Sequence, residues 1–541
     1  MQELEKIIWI SIILIVIISV KERVKLALPI LLVLVGLLLS LTGLLPTIDI
    51  SPEMIFYVVL PPVLFDAAWN TSIPDFKKEF SKISILAVIL VFLTTTIVAI
   101  FVHHVLPGFG WGLAFVLGAI VSPPDAVAAS SITKSIVLPK RLIVLLEGES
   151  LLNDASALIA YKCAVVAVMT GAFSLWDAGW QFLYISLGGV FVGIAVGFLF
   201  LKIYAFLRND SNVETFAVVL LPFATYSLSE HLGFSGVLAV VILGMYLSWH
   251  SFAIFTAASR IQMGHIWDVI IFILNGLIFL ILGMQLPSIL ADIPSPEIFP
   301  LVCYGFLIFL ILVAVRLLVL FAIPAFSFSR SAHTMGIYAE SGKEYLILSW
   351  SGMRGVVSLA AALALPFTDG RGLLIEQRST VLFVSFVVII FTLLIQGLTL
   401  SRLIKLIKPV DKKIEDEHIL NLLLLDRSIS YLANIPIRGH LTESAIKTMV
   451  SKLEAEESEL IDGRVEPVML AEQIAQKGAY LQLELSLVDY QRRELADSYQ
   501  KGRFSLEIIR KKELELDFWT ATILQEMKRF GAASIASDIV E

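Results

Sequence analysis

Gly118-Ala119-Ile120-Val121-Ser122-Pro123-Pro124-Asp125-Ala126-Val127 is apolar enough to lie in a membrane, yet it cannot be one continuous helix. The paired prolines remove two backbone donors, and each ring collides with the carbonyl four residues earlier. An acid, Asp125, sits where the helix must stop. A second stretch breaks by another route: Ser349-Trp350-Ser351-Gly352-Met353-Arg354-Gly355-Val356-Val357 sets glycines on both sides of an arginine, and glycine loosens a helix. Two interrupted apolar segments carrying opposite charges frame the reading of the rest of the chain.

Composition places those segments in a bilayer. The 541 residues are 57% hydrophobic and 16% charged, with a mean hydropathy of +0.87, which describes a membrane protein and excludes an ordinary soluble one. Stretches of about 20 apolar residues are needed to span the hydrocarbon, and about thirteen are present. They run over 4–20, 26–45, 54–70, 83–106, 112–133, 142–169, 180–203, 213–231, 234–250, 264–287, 298–324, 344–367 and 379–401. The breaks fall in spans 5 and 12. An odd separation means that the two cross in opposite directions, so spans 1–6 and 8–13 read as inverted repeats with span 7 as connector, and paired interruptions point to a transporter's substrate site. The expected fold is therefore an all-α membrane protein with two discontinuous helices.

Lys21, Arg23, Lys77, Lys78, Lys82, Lys134, Lys140, Arg141, Lys202 and Arg260 follow odd-numbered spans, as do Lys343, Arg402 and Lys405. By the positive-inside rule those loops are cytoplasmic and the N-terminus is outside. Arg371 and Arg378 are the exceptions. Acidic and basic residues balance at 23 each over 1–410, while 411–541 holds 24 against 17, so the whole net charge of −7 lies in the tail. The domains expected are a transmembrane unit, 1–405, and a cytoplasmic helical tail, 411–541. The tail's apolar residues, such as Leu481, Leu485, Val488, Trp519, Ile523 and Met527, are spaced as in amphipathic helices that bundle or face a regulatory partner. Nothing in the chain suggests nucleic acid binding or a cofactor.

Charges at membrane depth are costly and mark ion paths. Leu146-Glu147-Gly148-Glu149-Ser150-Leu151-Leu152-Asn153-Asp154 puts three acids in span 6. Asp125 and Arg354 occupy the opposed breaks and suit the half-helix dipoles. Glu149 needs a cation, and Arg316 in span 11 is the other deep arginine. With those pairs formed, Asp154 is left to exchange partners. Ser150 shares its helix face and Asn153 lies beside it. Hydroxyl, amide and carboxylate oxygens are hard ligands suited to an alkali cation. Burial favours the protonated acid and a metal ion the ionised one, so proton and cation compete for a single carboxylate. Glu147 and Lys162, near the ends of the span, read as snorkelling side chains.

These residues resemble the bacterial sodium/proton antiporters of the monovalent cation:proton antiporter-1 family, related to animal sodium/proton exchangers. The likeness is carried by Leu60-Pro61-Pro62-Val63-Leu64-Phe65-Asp66, Val121 to Ala128, Glu147 to Asp154, Phe272-Ile273-Leu274-Asn275-Gly276-Leu277 and Gly352-Met353-Arg354-Gly355. It implies a homodimer in the cell (inner) membrane, with spans 4–6 and 11–13 moving against a scaffold. It also implies Na+ and H+ as the transported ions, bound at Asp154 with Asp125, Ser150 and Asp66, and Glu149–Arg316 and Asp125–Arg354 as structural pairs. Asn153, where electrogenic relatives carry a second aspartate, implies electroneutral exchange. The first break departs from the family: Pro124 precedes Asp125 where relatives often carry threonine or valine with aspartate before the proline, so the Pro124 carbonyl stands in as a ligand and the choice among Na+, Li+ and K+ stays open.

Two readings from other classes compete. Gly233-Phe234-Ser235-Gly236 with His265 matches an intramembrane serine protease, but the two lie on opposite sides and nucleophile and base must be in hydrogen-bond reach. A channel needs no opposed pair of broken helices.

Overall fold

The structure is a computed structural model. It describes most of residues 12–407, leaving out 18, 20–27, 43–51, 126–137, 172–174, 208–209, 256, 292, 327–341, 369–371 and 373, together with scattered helical positions between 426 and 527. The chain divides into two compact units, Met1–Asp411 and Lys412–Glu541.

Among the described residues the first unit is helical apart from a single antiparallel bridge, Thr368 to Leu374. The helices are α1, Leu28–Thr42; α2, Pro52–Asn70; α3, Ile73–Val105; α4, Trp111–Val121; α5, Lys140–Thr170; α6, Leu175–Leu207; α7, Ser211–His231; α8, Gly236–Ile254; α9, Ala257–Met284; α10, Leu286–Ala291; α11, Ser295–Phe326; α12, Gly342–Trp350; α13, Val356–Leu363; and α14, Arg378–Ile407. Seven of the described helices are long and apolar enough to cross a membrane, with Leu28–Thr42, Trp111–Val121 and Gly236–Ser251 shorter apolar ones. The first expected span and the far half of the fifth fall mainly outside the described residues.

Local chemistry sets the ends. Asp210 caps α7 by accepting from Asn212 N–H, 2.7 Å, and Ser235 caps α8 by accepting from Leu238 N–H, 3.2 Å, as short polar side chains do at helix starts. One boundary differs from the sequence reading. Lys77, Lys78 and Lys82, expected in a loop, lie on the first turns of α3, whose amphipathic start Ile73–Ser84 buries Phe76 and Ile83. Its charged face and apolar face serve an interfacial helix that runs on into the membrane.

The helices pack in two groups. α3, α4, α5, α11, α12, α13 and α14 contact one another, and α1, α2, α6, α7, α8 and α9 form the second set. Within the second, Gly189 and Gly193 let α6 approach the backbone of α8 so closely that a Cβ would meet Ser235 O and Ala239 O at 2.6 and 2.5 Å, the small-residue packing of membrane helices. Where the groups meet, Leu151 and Ala155 of α5 join a buried cluster with Leu64, Phe65 and Leu243. In the second unit Leu481, Val488, Leu516, Ile523 and Met527 form a small core with Leu485 and Trp519 against it.

Candidate functional site

α4 ends just before the paired prolines and α12 just before Gly352, and the two ends meet. α4 stops at Val121, and Asp125 N–H donates to Met353 O in the gap between α12 and α13, 2.6 Å. Unwinding frees carbonyls that an apolar interior cannot leave bare. Arg354, 2% exposed, satisfies them: Nε donates to Val121 O, 3.0 Å, and a second guanidinium nitrogen donates to Gly352 O. The cation thus sits at the carbonyl end of α4. Asp125 lies at the opposite pole. A Cβ on Gly355, which precedes α13, would fall on the Asp125 carboxylate, so the glycine allows the acid to approach the N–H end of that half-helix. Each charge complements a helix dipole. Arginine's donors are drawn to the carbonyls that the break exposes, and the Asp125 backbone ties the two interrupted segments together through Met353 O.

α5 carries the remaining groups past this crossing. Glu149 and Arg316, 1% and 2% exposed, form a two-pronged ion pair, with one arm at 2.7 Å. Arg316 Nε also donates to Leu348 O, 2.9 Å. One turn along, fully buried Asn153 donates through Nδ2 to Pro124 O, 2.8 Å. The carbonyl can only accept, so the amide nitrogen must face it, and Asn153 Oδ1 is left without a partner among the described residues. Asp154, 7% exposed, follows; no described residue is hydrogen-bonded or ion-paired to its carboxylate, and Asp125 lies within electrostatic range of it.

A cavity of about 10 Å³, lined by Pro124, Asp125, Leu146, Glu149, Ser150, Arg316 and Ser351, has room for about one water molecule. Pro124, Asp125 and Ser150 therefore share one space, with Asn153 tied to the same proline, while Asp154 lies a turn beyond the lining. Asp66 is placed on α2, half-buried, with its Oδ1 accepting from Asn70 Nδ2 at 3.0 Å. The described residues contain no group of three His, Cys, Asp or Glu side chains fit for a metal ion. The residues lining that space offer carbonyl, hydroxyl and carboxylate oxygens, the hard ligands that an alkali cation accepts.

The profile of the sodium/hydrogen exchanger transmembrane family matches residues 10–406. The chain belongs to this family. Its members are transporters and not enzymes, and the ions they carry are substrates, with no cofactor implied. A sodium, potassium, lithium and rubidium/H+ antiporter of Bacillus pumilus is 32% identical over 411 residues, covering 74% of this chain and 59% of the relative. The chain thus spans little more than half that protein's length. The Na+/H+ antiporter ApNhaP of Aphanothece halophytica is 29% identical over 92% of this chain and 90% of the relative. The solved structure of the sodium proton antiporter MjNhaP1 from Methanocaldococcus jannaschii superposes with a TM-score of 0.58 at 20% identity, over 74% of this chain and 98% of that one, which shows a shared helical membrane fold.

Several residues around the two interrupted segments escape a sequence reading. Thr392 lies on a π-helical turn of α14, Thr392–Gln396, and its hydroxyl accepts the Arg354 N–H, 3.1 Å. A π-turn has no simple sequence signature, though such turns cluster at functional sites. Arg378, an exception to the charge rule, donates to Leu365 O at 2.8 Å and Leu363 O at 3.2 Å beyond the end of α13 and stacks 3.8 Å over the Phe367 ring. A basic residue beyond a helix C-terminus is the available clue. Lys162, whose side chain is 47% exposed, also pairs with Glu230, a partner that the sequence does not point to. Ser235 serves as the α8 cap, an ordinary structural duty for the serine of the protease-like motif.

Proposed function

We propose that the chain is an electroneutral secondary antiporter that exchanges Na+, or Li+ or K+, for H+ by alternating access, with cation and proton competing for Asp154. One observation carries the reading. Of the two buried acids on α5, Glu149 holds its own arginine, whereas Asp154 has no cationic partner among the described residues. A buried carboxylate is stable when neutralised, and either a proton or an alkali ion does that. Asp125 at the break, Ser150, the Pro124 carbonyl and the Asn153 amide oxygen supply the remaining ligands, and Asp66 lies on the approach. Occupation by one ion or the other, never both, couples the two fluxes one for one. Asn153 adds no charge to the site, which keeps the cycle electroneutral.

The Bacillus relative is described as accepting sodium, potassium, lithium and rubidium, which supports a site selective for charge and hardness more than for size. A K+/H+ exchanger is the alternative that a carbonyl-rich break favours. The protein acts as a homodimer in the cell membrane, with the N-terminus outside and the 411–541 tail in the cytoplasm; the apolar side chains exposed on α6, Leu183, Leu187, Phe191 and Phe198, suit a surface that meets lipid or the second copy. Proteoliposomes loaded with Na+, K+ or Li+ in turn and diluted into ion-free buffer test it. Proton uptake that saturates with cation and ignores a clamped membrane potential is expected; flux that follows the potential, or no coupled flux, would reject the reading.

A further inference from the structure

Within each helix group, ion pairs and side-chain bonds join neighbouring helices. Arg316–Glu149 joins α11 to α5, Arg141 Nε meets Glu79 Oε1 at 2.8 Å between α5 and α3, and Lys82 closes on the same glutamate at 3.4 Å. All lie in the first group. In the second, Tyr204 donates to Glu214 at 2.6 Å, Ser248 to Trp69 O at 2.6 Å and Ser40 to Met284 O at 2.8 Å.

Lys162 crosses the seam. Its Nζ lies 2.9 Å from Glu230 Oε2, from α5 in one group to α7 in the other. The other carboxylate oxygen of Glu230 accepts Gly236 N–H at 3.1 Å, so the start of α8 holds the acid in place for the lysine. One residue on, Cys163 Sγ makes a weak contact of 3.9 Å with Gln181 Oε1 of α6. Both contacts sit toward the C-terminal end of α5, away from Arg141. Around Leu151 and Ala155 the same seam is apolar; the ion pair ties it toward the C-terminal end of α5, while at the opposite end Lys77 of α3 lies 5.3 Å from the centre of the Trp249 ring of α8. The pair is also of a strength that can turn over. The Lys162 side chain is 47% exposed and that of Glu230 19%, and partly exposed pairs are weak, unlike the enclosed Glu149–Arg316 pair.

We infer that Lys162–Glu230 is a latch. It holds the two helix groups together at one face of the membrane, closing the Asp154 site there, and it opens each time the site turns to that face. The inference rests on the alternating-access reading above. Two experiments on the full-length chain in vesicles test it. In a Cys163→Ser, Cys303→Ser background, Lys162→Cys and Glu230→Cys are bridged by a reducible dithiol reagent; exchange should fall at least about tenfold and return on reduction. Separately, Lys162→Gln should shift the ratio of apparent KM values at the two faces by about twofold to fivefold, since the open state at the latched face is no longer opposed. The charge swap Lys162→Glu with Glu230→Lys should restore the ratio, which a merely structural contact would not require. Undiminished exchange in the bridged protein, or unchanged KM values at both faces in Lys162→Gln, would remove the latch and leave antiport standing. Failure of the thiols to bridge would reject the contact itself. Absence of coupled flux in the wild-type chain would remove the proposed function and the latch with it.

Discussion

Two acids a turn and a half apart on one helix have opposite fates because of what faces them. Glu149 meets a bidentate guanidinium, and Asp154 meets none among the described residues. Arg316→Ala strands a buried carboxylate and should destabilise the protein by about 3–5 kcal/mol, with Glu149→Ala in the same chain recovering part of the loss. Thermal melting in detergent of both single variants and the double reads this, and strictly additive losses would show that the pair is not coupled. Asp154→Asn should abolish exchange while leaving the melting temperature close to that of the wild type, since no partner is lost; transport that survives would take the ion away from this side chain. Competition also has a signature in the unmodified protein. Each tenfold rise in proton concentration should raise the apparent KM for Na+ by up to about tenfold, with the maximal rate at saturating cation little changed. A KM independent of pH would mean separate sites. At this scale Glu149–Arg316 was legible from the sequence, being the pairing available to two deep, isolated charges. The targets of Arg354 were not, because backbone carbonyls carry no letter in the sequence.

At the scale of the element, the broken helices depend on two kinds of support. Proline and glycine unwind them, which the sequence states openly, and other helices then hold the unwound backbone. Gly355 leaves room for the Asp125 carboxylate, so Gly355→Ala should force the acid off the start of α13, costing about 1–3 kcal/mol of stability by overpacking and most of the exchange rate. Normal flux in that variant would show that the close approach has no function. Thr392 supports the second break through its acceptor. Thr392→Val leaves the Arg354 N–H buried without a partner, worth about 1–3 kcal/mol, whereas Thr392→Ser should retain both stability and rate. Equal behaviour of the two variants would discount the bond. The amphipathic start of α3 reads as a loop in sequence because five charged residues in twelve resemble a solvated connection, whereas in the fold Phe76 and Ile83 are buried.

For the whole molecule, two groups of helices with separate internal bonding, and a second compact unit with its own small core, suggest parts that move or fold as units. A chain ending at 411 should therefore insert and melt like the full protein, with any change confined to the pH dependence of exchange. A truncated chain that fails to fold would make the tail part of the membrane unit's stability. Hydropathy and the placement of proline and glycine determined by themselves that this is a helical membrane protein whose helices are interrupted at Pro123-Pro124 and around Arg354, because the cost of burying charge and backbone in lipid leaves few alternatives. Only the tertiary structure decided which groups satisfy one another across the crossing: Arg354 on the end of α4, Asn153 on Pro124, Thr392 on Arg354 and Lys162 on Glu230 join residues from 29 to 233 positions apart. Such bonds are selected by the three-dimensional packing of helices, and local spacing along the chain contains no record of them.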